Sequence, residues 1–201
     1  MSEVTRPRRR RNPEQTRRAI VDALLSLLKD GNLDPTTRAI AARAAVSERS
    51  IFVHFPGRDD LRIAAVDQQS ADVEALIEHP DPDLPLGQRI DAAIRQSEAI
   101  FTLQRNPRVL GFLESQRIPA IDARMRLTDN RIRAALAQTF APELPHPNHH
   151  RLDILDATLG WPLRHHLMDR RNLSQQAAST AIRQTVHTLL THPVDTATEE
   201  A

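Results

Sequence analysis

The sequence predicts an all-α chain of about nine helices, a helix-turn-helix segment near the amino terminus followed by a larger helical domain. Three observations carry this. Apolar residues recur at helical spacing in segment after segment. No segment sustains the alternation of a strand, and proline, glycine and capping residues separate one apolar stripe from the next.

Asn12 is a good N-cap and Pro13 suits the first helical position. Ile20, Ala23, Leu24, Leu27 and Leu28 then form one amphipathic stripe that Gly31 ends. After Asp34-Pro35, Thr36 caps a short helix carrying Ile40 and Ala41, and Ser47 caps a third carrying Ile51, Phe52 and Phe55, closed by Pro56-Gly57. A fourth helix starts near Arg58 or Asp59 and meets no breaker before His79-Pro80, long enough to link two domains. Past the Pro80 to Pro85 linker, Ile90, Ile94, Ser97 and Phe101 keep helical spacing to Asn106-Pro107, where a short helix with Leu110 and Leu113 runs to Ile118-Pro119. Ile121, Met125, Thr128, Ile132, Leu136 and Phe140 give a sustained stripe before the Pro142 to Pro147 loop. Asn148 caps the next helix, whose stripe of Leu152, Leu155, Leu159, Leu163 and Leu167 crosses Gly160-Trp161-Pro162, where Pro162 should kink it. Ser174 caps the last helix, with Ala178, Ile182, Val186 and Leu189, before His192-Pro193.

Composition narrows the function. The 201 residues carry 27 basic and 26 acidic side chains and no cysteine, so disulfides, thiolate metal sites and cysteine nucleophiles are excluded. Five glycines form no phosphate-cradling pattern, no Ser/His/Asp spacing or nucleophile elbow is legible, and an enzyme is not expected. No run approaches the roughly 18 apolar residues of a membrane span, and the basic start leads into Asn12-Pro13-Glu14-Gln15 rather than an apolar signal core, which points to a cytoplasmic protein. Charge is split: residues 1–62 carry a net +5 and residues 63–201 a net −4. A basic amino-terminal third on an acidic remainder fits a nucleic-acid-facing module attached to a domain that does not touch nucleic acid. Arg6 and the run Arg8, Arg9, Arg10 and Arg11 read either as an arm lying on phosphates or in a minor groove, or as a solvated tail without a specific role.

The span Thr36 to Phe55, two short helices joined by a tight connection, has the spacing of a helix-turn-helix. In such a unit the second helix enters the major groove with its amino-terminal residues at base edges. The residues available there are Ser47, Glu48, Arg49, Ser50, Val53 and His54. Arg pairs with guanine O6/N7, Glu accepts from cytosine N4, and Val meets a thymine methyl. Spacing alone fits a surface helix of a bundle equally well.

Thr36-Thr37-Arg38-Ala39-Ile40-Ala41, then Ala45-Val46-Ser47, then Ser50-Ile51-Phe52-Val53-His54-Phe55-Pro56-Gly57-Arg58-Asp59-Asp60-Leu61 resembles the DNA-binding segment of the tetracycline-repressor-like (TetR) bacterial regulators, over Thr16 to Leu61. The sequence departs from that pattern at Ala45, usually glycine, Phe52, usually tyrosine, and Arg58, usually lysine. A positive φ at Ala45 would cost of order 1 kcal/mol. Phe52 lacks a hydroxyl for phosphate, while Arg58 keeps a cation at the start of the fourth helix.

The resemblance implies a ligand-responsive transcriptional regulator, more often a repressor, that binds a near-palindromic double-stranded DNA operator as a homodimer and releases it on binding a small molecule. Arg38, Glu48, Arg49 and Val53 would read bases, and Thr36, Ser47, Ser50, His54 and Arg58 would contact phosphates. Residues 1–12 would be the basic arm, 13–62 the DNA-binding domain, 63–193 the ligand-binding and dimerisation domain, and 194–201 a frayed tail. Phe101, Phe112, Met125, Phe140, Trp161 and His165 are candidate pocket linings, and Leu159, Leu163, Leu167, Ile182, Val186 and Leu189 the candidate dimer face. No cofactor and no metal are expected: His149-His150 and His165-His166 are adjacent pairs about 100 degrees apart on a helix and cannot chelate from one face. The alternative is a structural DNA-binding or protein-interaction adaptor on the same scaffold without an effector.

Overall fold

The computed structural model describes residues 12–144 and 149–192; the arginine arm, Asn148 and the tail from residue 193 lie outside them. The described residues form ten α-helices and no strand. They are α1 (Pro13–Lys29), α2 (Thr37–Ala44), α3 (Glu48–His54), α4 (Arg58–Glu74), α5 (Leu86–Gln104), α6 (Pro107–Ser115), α7 (Pro119–Thr139), α8 (His149–Leu159), α9 (Trp161–His165) and α10 (Gln175–Thr191), with a 3₁₀ turn at Ala141–Glu143 and a π turn at His166–Arg170.

The chain divides into two compact units, one ending at Gln68 and the other starting at Gln69, so α4 runs from the first into the second. In the first, α1 packs on α2 and α3. Ile20, Leu24 and Leu28 of α1 are buried, as are Ile40, Ala41, Ile51 and Phe55, each worth about 1.5–3 kcal/mol for the larger side chains. The caps are the ones the sequence predicts: Asn12 accepts from the Glu14 N–H, Thr36 from Ala39 and Ser47 from Ser50.

In the second unit Ile90 and Ile94 of α5, Leu136 of α7, Phe140, Leu155 and Leu159 of α8, and Ile182, Val186 and Leu190 of α10 form one core. Arg89, 4% exposed, closes one end of it. Its guanidinium grips Glu143 through two 2.6 Å hydrogen bonds and also donates to the carbonyls of Leu84 and Thr139. The Glu143 hydrogen bond raises the Arg89 guanidinium above its ordinary pKa against the pull of burial.

Two expectations are corrected. The fourth helix stops at Glu74 rather than at His79: Leu76 and Ile77 turn back onto Val73 and Glu74, and the Glu78 N–H is taken by Gln96 Oε1 at 2.6 Å. The helix expected to kink at Pro162 is broken instead. Gly160 adopts an extended ψ of 164°, and Pro162 stands in the first turn of a new helix, where its missing N–H costs nothing. That break raises the count from nine helices to ten.

Candidate DNA-binding surface and internal cavity

The turn between α2 and α3 is set by Ala45, whose φ of 54° and ψ of 46° put it in the left-handed region. Its N–H bonds to the Ala42 carbonyl and that of Val46 to the Ala41 carbonyl, so the end of α2 is closed as a glycine would close it. The positive φ conditionally expected of this alanine is present. Arg17 holds the other end of α3: it donates to the His54 carbonyl at 2.9 Å and lies 4.2 Å over the Phe55 ring. Gly57 then caps α4, its N–H held by Asp60 Oδ2 at 2.9 Å.

This frame presents one polar face. Thr36, Arg38, Ser47, Glu48, Arg49, Val53 and Arg58 are exposed, and Ser50 and His54 half-exposed. Phe52 is 54% and Val53 70% exposed, so both apolar side chains stand on the outer face of α3. Among the described residues neither Arg38 nor Arg49 has an ion-pair partner, whereas Arg43 is bound to Asp30 and Arg58 lies 3.5 Å from Asp34. The Ser47 and Thr36 hydroxyl oxygens are occupied as caps yet keep their O–H groups as donors.

The second unit holds a cavity of about 320 Å³ between α5, α6, α7, α8 and α9. Of the six predicted lining residues, Phe101, Phe112 and Trp161 stand in its wall. Met125 and Phe140 do not: Met125 is packed on Gly111, and Phe140 is fully buried in the α5–α10 core beneath Arg89. His165 stands one layer back, stacked on Trp161 at 4.3 Å between ring centroids. Its Nδ1 is 2.7 Å from Asp169 Oδ2, and Asp169 also accepts from Arg105 at 2.9 Å. Burial works to raise the Asp169 carboxyl, and the bonds with Arg105 and His165 outweigh it, holding it below the ordinary carboxylate value.

Sequence reasoning missed the polar wall: Gln96, Ser97, Gln104, Arg108, Asp129 and Asp156. A signal was available, because Ser97 and Gln104 fall on the same face of α5 as Ile90, Ile94 and Phe101, where a plain core would be apolar throughout. Ser97 donates to the Leu159 carbonyl at 2.6 Å and accepts from Arg164, a fully buried cation that also donates to Ser179 at 3.0 Å. Ser179 in turn donates to Glu98. Burial lowers the Arg164 guanidinium's pKa, and Glu98 opposes that shift. Asp129 takes both of its bonds from Arg108, at 2.6 and 2.8 Å. Asp156 is pushed above the ordinary carboxylate range by burial, with Arg133 pulling the other way.

The predicted dimer face is corrected at Leu159, Ile182 and Val186, which are buried in the single chain, whereas Leu163, Leu167 and Leu189 stay half-buried. Ile182 and Val186 of α10 have no exposed surface in the single chain because α10 packs against α5 and α8 of its own subunit, and Leu159 of α8 is 7% exposed in the same core. Leu163, Leu167 and Leu189 pack on the same core. Among the described residues no group of His, Asp and Glu could hold a metal ion, and no helix is long and apolar enough to cross a membrane.

The chain thus carries a helix-turn-helix with an exposed face, followed in sequence by a helical unit that holds a cavity. Residues 20–65 match the model of the bacterial regulatory proteins of the tetR family. Solved structures share the fold at low identity. The multidrug binding protein EbrR, solved with imidazole, is 21% identical, with a TM-score of 0.63, covering 89% of this chain and 97% of its own. A transcriptional regulator from Rhodococcus sp. Rha1 is 20% identical, with a TM-score of 0.68 and coverages of 89% and 96%. A TetR-family member from Streptomyces coelicolor A3 is 22% identical, with a TM-score of 0.65 and coverages of 89% and 99%. A search of curated protein sequences gives no match. The chain thus resembles the tetR family of bacterial regulatory proteins over residues 20–65, and over most of its length it shares the fold of these solved structures.

Proposed function

We propose that the protein is a ligand-responsive repressor that binds a near-palindromic operator as a homodimer and leaves it when a small molecule fills the α5–α9 cavity. The observation that carries the reading is the α3 face: Glu48, Arg49 and Val53 are exposed, and Arg49 has no ion-pair partner among the described residues. Arg38, Glu48, Arg49 and Val53 read base edges, and Thr36, Ser47, Ser50, His54 and Arg58 fix the register on phosphates. The arm Arg6, Arg8, Arg9, Arg10 and Arg11 adds salt-sensitive attraction.

Two copies meet through the outward residues of the last long helices, Ile154 on α8 and Thr180, Gln184 and His187 on α10, which their own subunit leaves uncovered. Ligand binding favours a dimer whose recognition helices no longer fit successive major grooves, with α4 as the continuous element from one unit to the other. That the multidrug binding protein EbrR, which shares this fold, was solved complexed with imidazole supports a small-molecule role here.

The test is fluorescence anisotropy on DNA from immediately upstream of the gene, against excess random duplex near physiological salt. Binding that survives the competitor and is reversed by a saturating small molecule supports the reading. Binding that saturating ligand leaves unchanged removes the effector from it.

A further inference from the structure

The charges around the cavity do not balance. Arg108 is matched in charge by Asp129, which accepts two bonds from its Nη2 while its buried Nε has no hydrogen-bond partner among the described residues, and Arg164 is set against Glu98 through Ser179. Arg105, which lies over the Phe101 ring, is neutralised by Asp169. Arg133 is the cation nearest Asp156, and it is engaged elsewhere: its Nη2 is 2.5 Å from Asp153, while its Nη1 stays 3.8 Å from Asp156 Oδ2. One negative charge is left in excess, and it falls on a side chain in the cavity wall.

The rest of the wall suits a cation as well. Phe101, Phe112 and Trp161 cluster with centroids 5.6 and 6.2 Å apart from the indole, and the negative π faces of such rings attract a positive nitrogen. Ile100, Ile132, Leu136, Ala157 and Pro162 supply an apolar lining for a hydrocarbon body. An anion would enter against Asp129 and Asp156 with its one wall cation, Arg108, already paired.

Resting on the reading of this cavity as the effector site, we infer that it takes a compact organic cation, an apolar or aromatic body carrying a protonated nitrogen that pairs with the Asp156 carboxylate. A neutral analogue of the same shape fills the apolar wall and leaves the carboxylate without a counter-charge. A carboxylate analogue meets repulsion.

Isothermal titration of the full chain, without DNA, with 2-naphthylmethylammonium, 2-naphthamide and 2-naphthoate separates these. The ammonium is expected to bind at least about tenfold more tightly than the amide, with the naphthoate weakest, and Asp156→Asn should bring ammonium and amide to within about threefold. Arg133→Gln, which removes the nearest competing cation, should tighten the ammonium and serves if the first variant does not fold. Naphthoate binding as tightly as the ammonium, an Asp156→Asn variant with unchanged preference, or no binding by any of the three overturns the inference. Asp156-dependent ammonium binding that leaves operator affinity unchanged supports the cation site and contradicts the effector role instead.

Discussion

Arg17 and Phe55 are stacked, the guanidinium carbon 4.2 Å above the ring centroid, while the same guanidinium donates to the His54 carbonyl. One side chain of α1 thus fixes the carboxyl end of the recognition helix by both its charge and its plane. A seven-residue helix has too few internal hydrogen bonds to hold itself, so its direction depends on such external ties. Arg17→Ala should cost about 1–2 kcal/mol in urea unfolding and weaken DNA binding although Arg17 is no base reader. Arg17→Lys should recover little, because a point charge cannot match a stacked fork.

Ala45 sits at φ 54° in the turn between α2 and α3, a conformation that glycine adopts freely and alanine does not. Ala45→Gly should therefore stabilise the chain by about 0.5–1 kcal/mol, the relief of strain exceeding glycine's extra entropy in the unfolded state. Chemical denaturation measures this, and a loss of stability would mean that the turn is not strained.

A glycine-to-alanine change should act differently at Gly111, inside α6, and at Gly160, in the break between α8 and α9. At Gly111 the new methyl would meet Met125 alone, its sulfur at 3.0 Å and its Cε at 3.4 Å, the flexible end of a side chain, so the gain in helix propensity offsets the contact. At Gly160 it would stand 2.9 Å from the Asp156 backbone carbonyl, which cannot swing aside. Gly160→Ala should cost about 1–3 kcal/mol and disturb the cavity, while Gly111→Ala stays within about 1 kcal/mol of the parent.

Acid should separate the two perturbed carboxylates. Asp169 titrates below its ordinary value in the folded chain, so it contributes stability above the ordinary carboxylate pKa, and that contribution is lost as pH falls through the depressed value. Asp156 titrates above its ordinary value, so its ionised form costs stability near neutrality, and the cost disappears as pH falls through the raised value. At pH 7 Asp169→Asn should lower the melting temperature and Asp156→Asn raise it or leave it level. Both differences should shrink once the pH is taken below the ordinary carboxylate value of about 3.9.

The helices of the first unit were legible almost residue by residue, because each carries its own cap and stop: Asn12, Thr36 and Ser47 cap, and Gly31 and Pro56-Gly57 close. The second unit was legible as helices but less so as surfaces. A stripe such as Ile182, Val186 and Leu189 marks a face to be covered without saying by which neighbour, and the cover proved to be α5 and α8 of the same chain. The end of α4 depended on a partner distant in sequence, Gln96, and no local pattern announces that. The cavity's charge balance was illegible for the same reason. Whether Asp156 is compensated depends on Arg133 turning to Asp153, a choice made by packing.

Selection from a randomised duplex library tests sequence-specific recognition led by Arg49. Full-length protein should enrich a two-fold-related pair of half-sites whose centres are about one helical turn or more apart. On the selected duplex, Arg49→Ala should lose about 1–3 kcal/mol of binding and relax one base position in each half-site, with random-sequence binding unchanged. No enrichment over the starting library, or equal losses by Arg49→Ala on selected and random DNA, would contradict it.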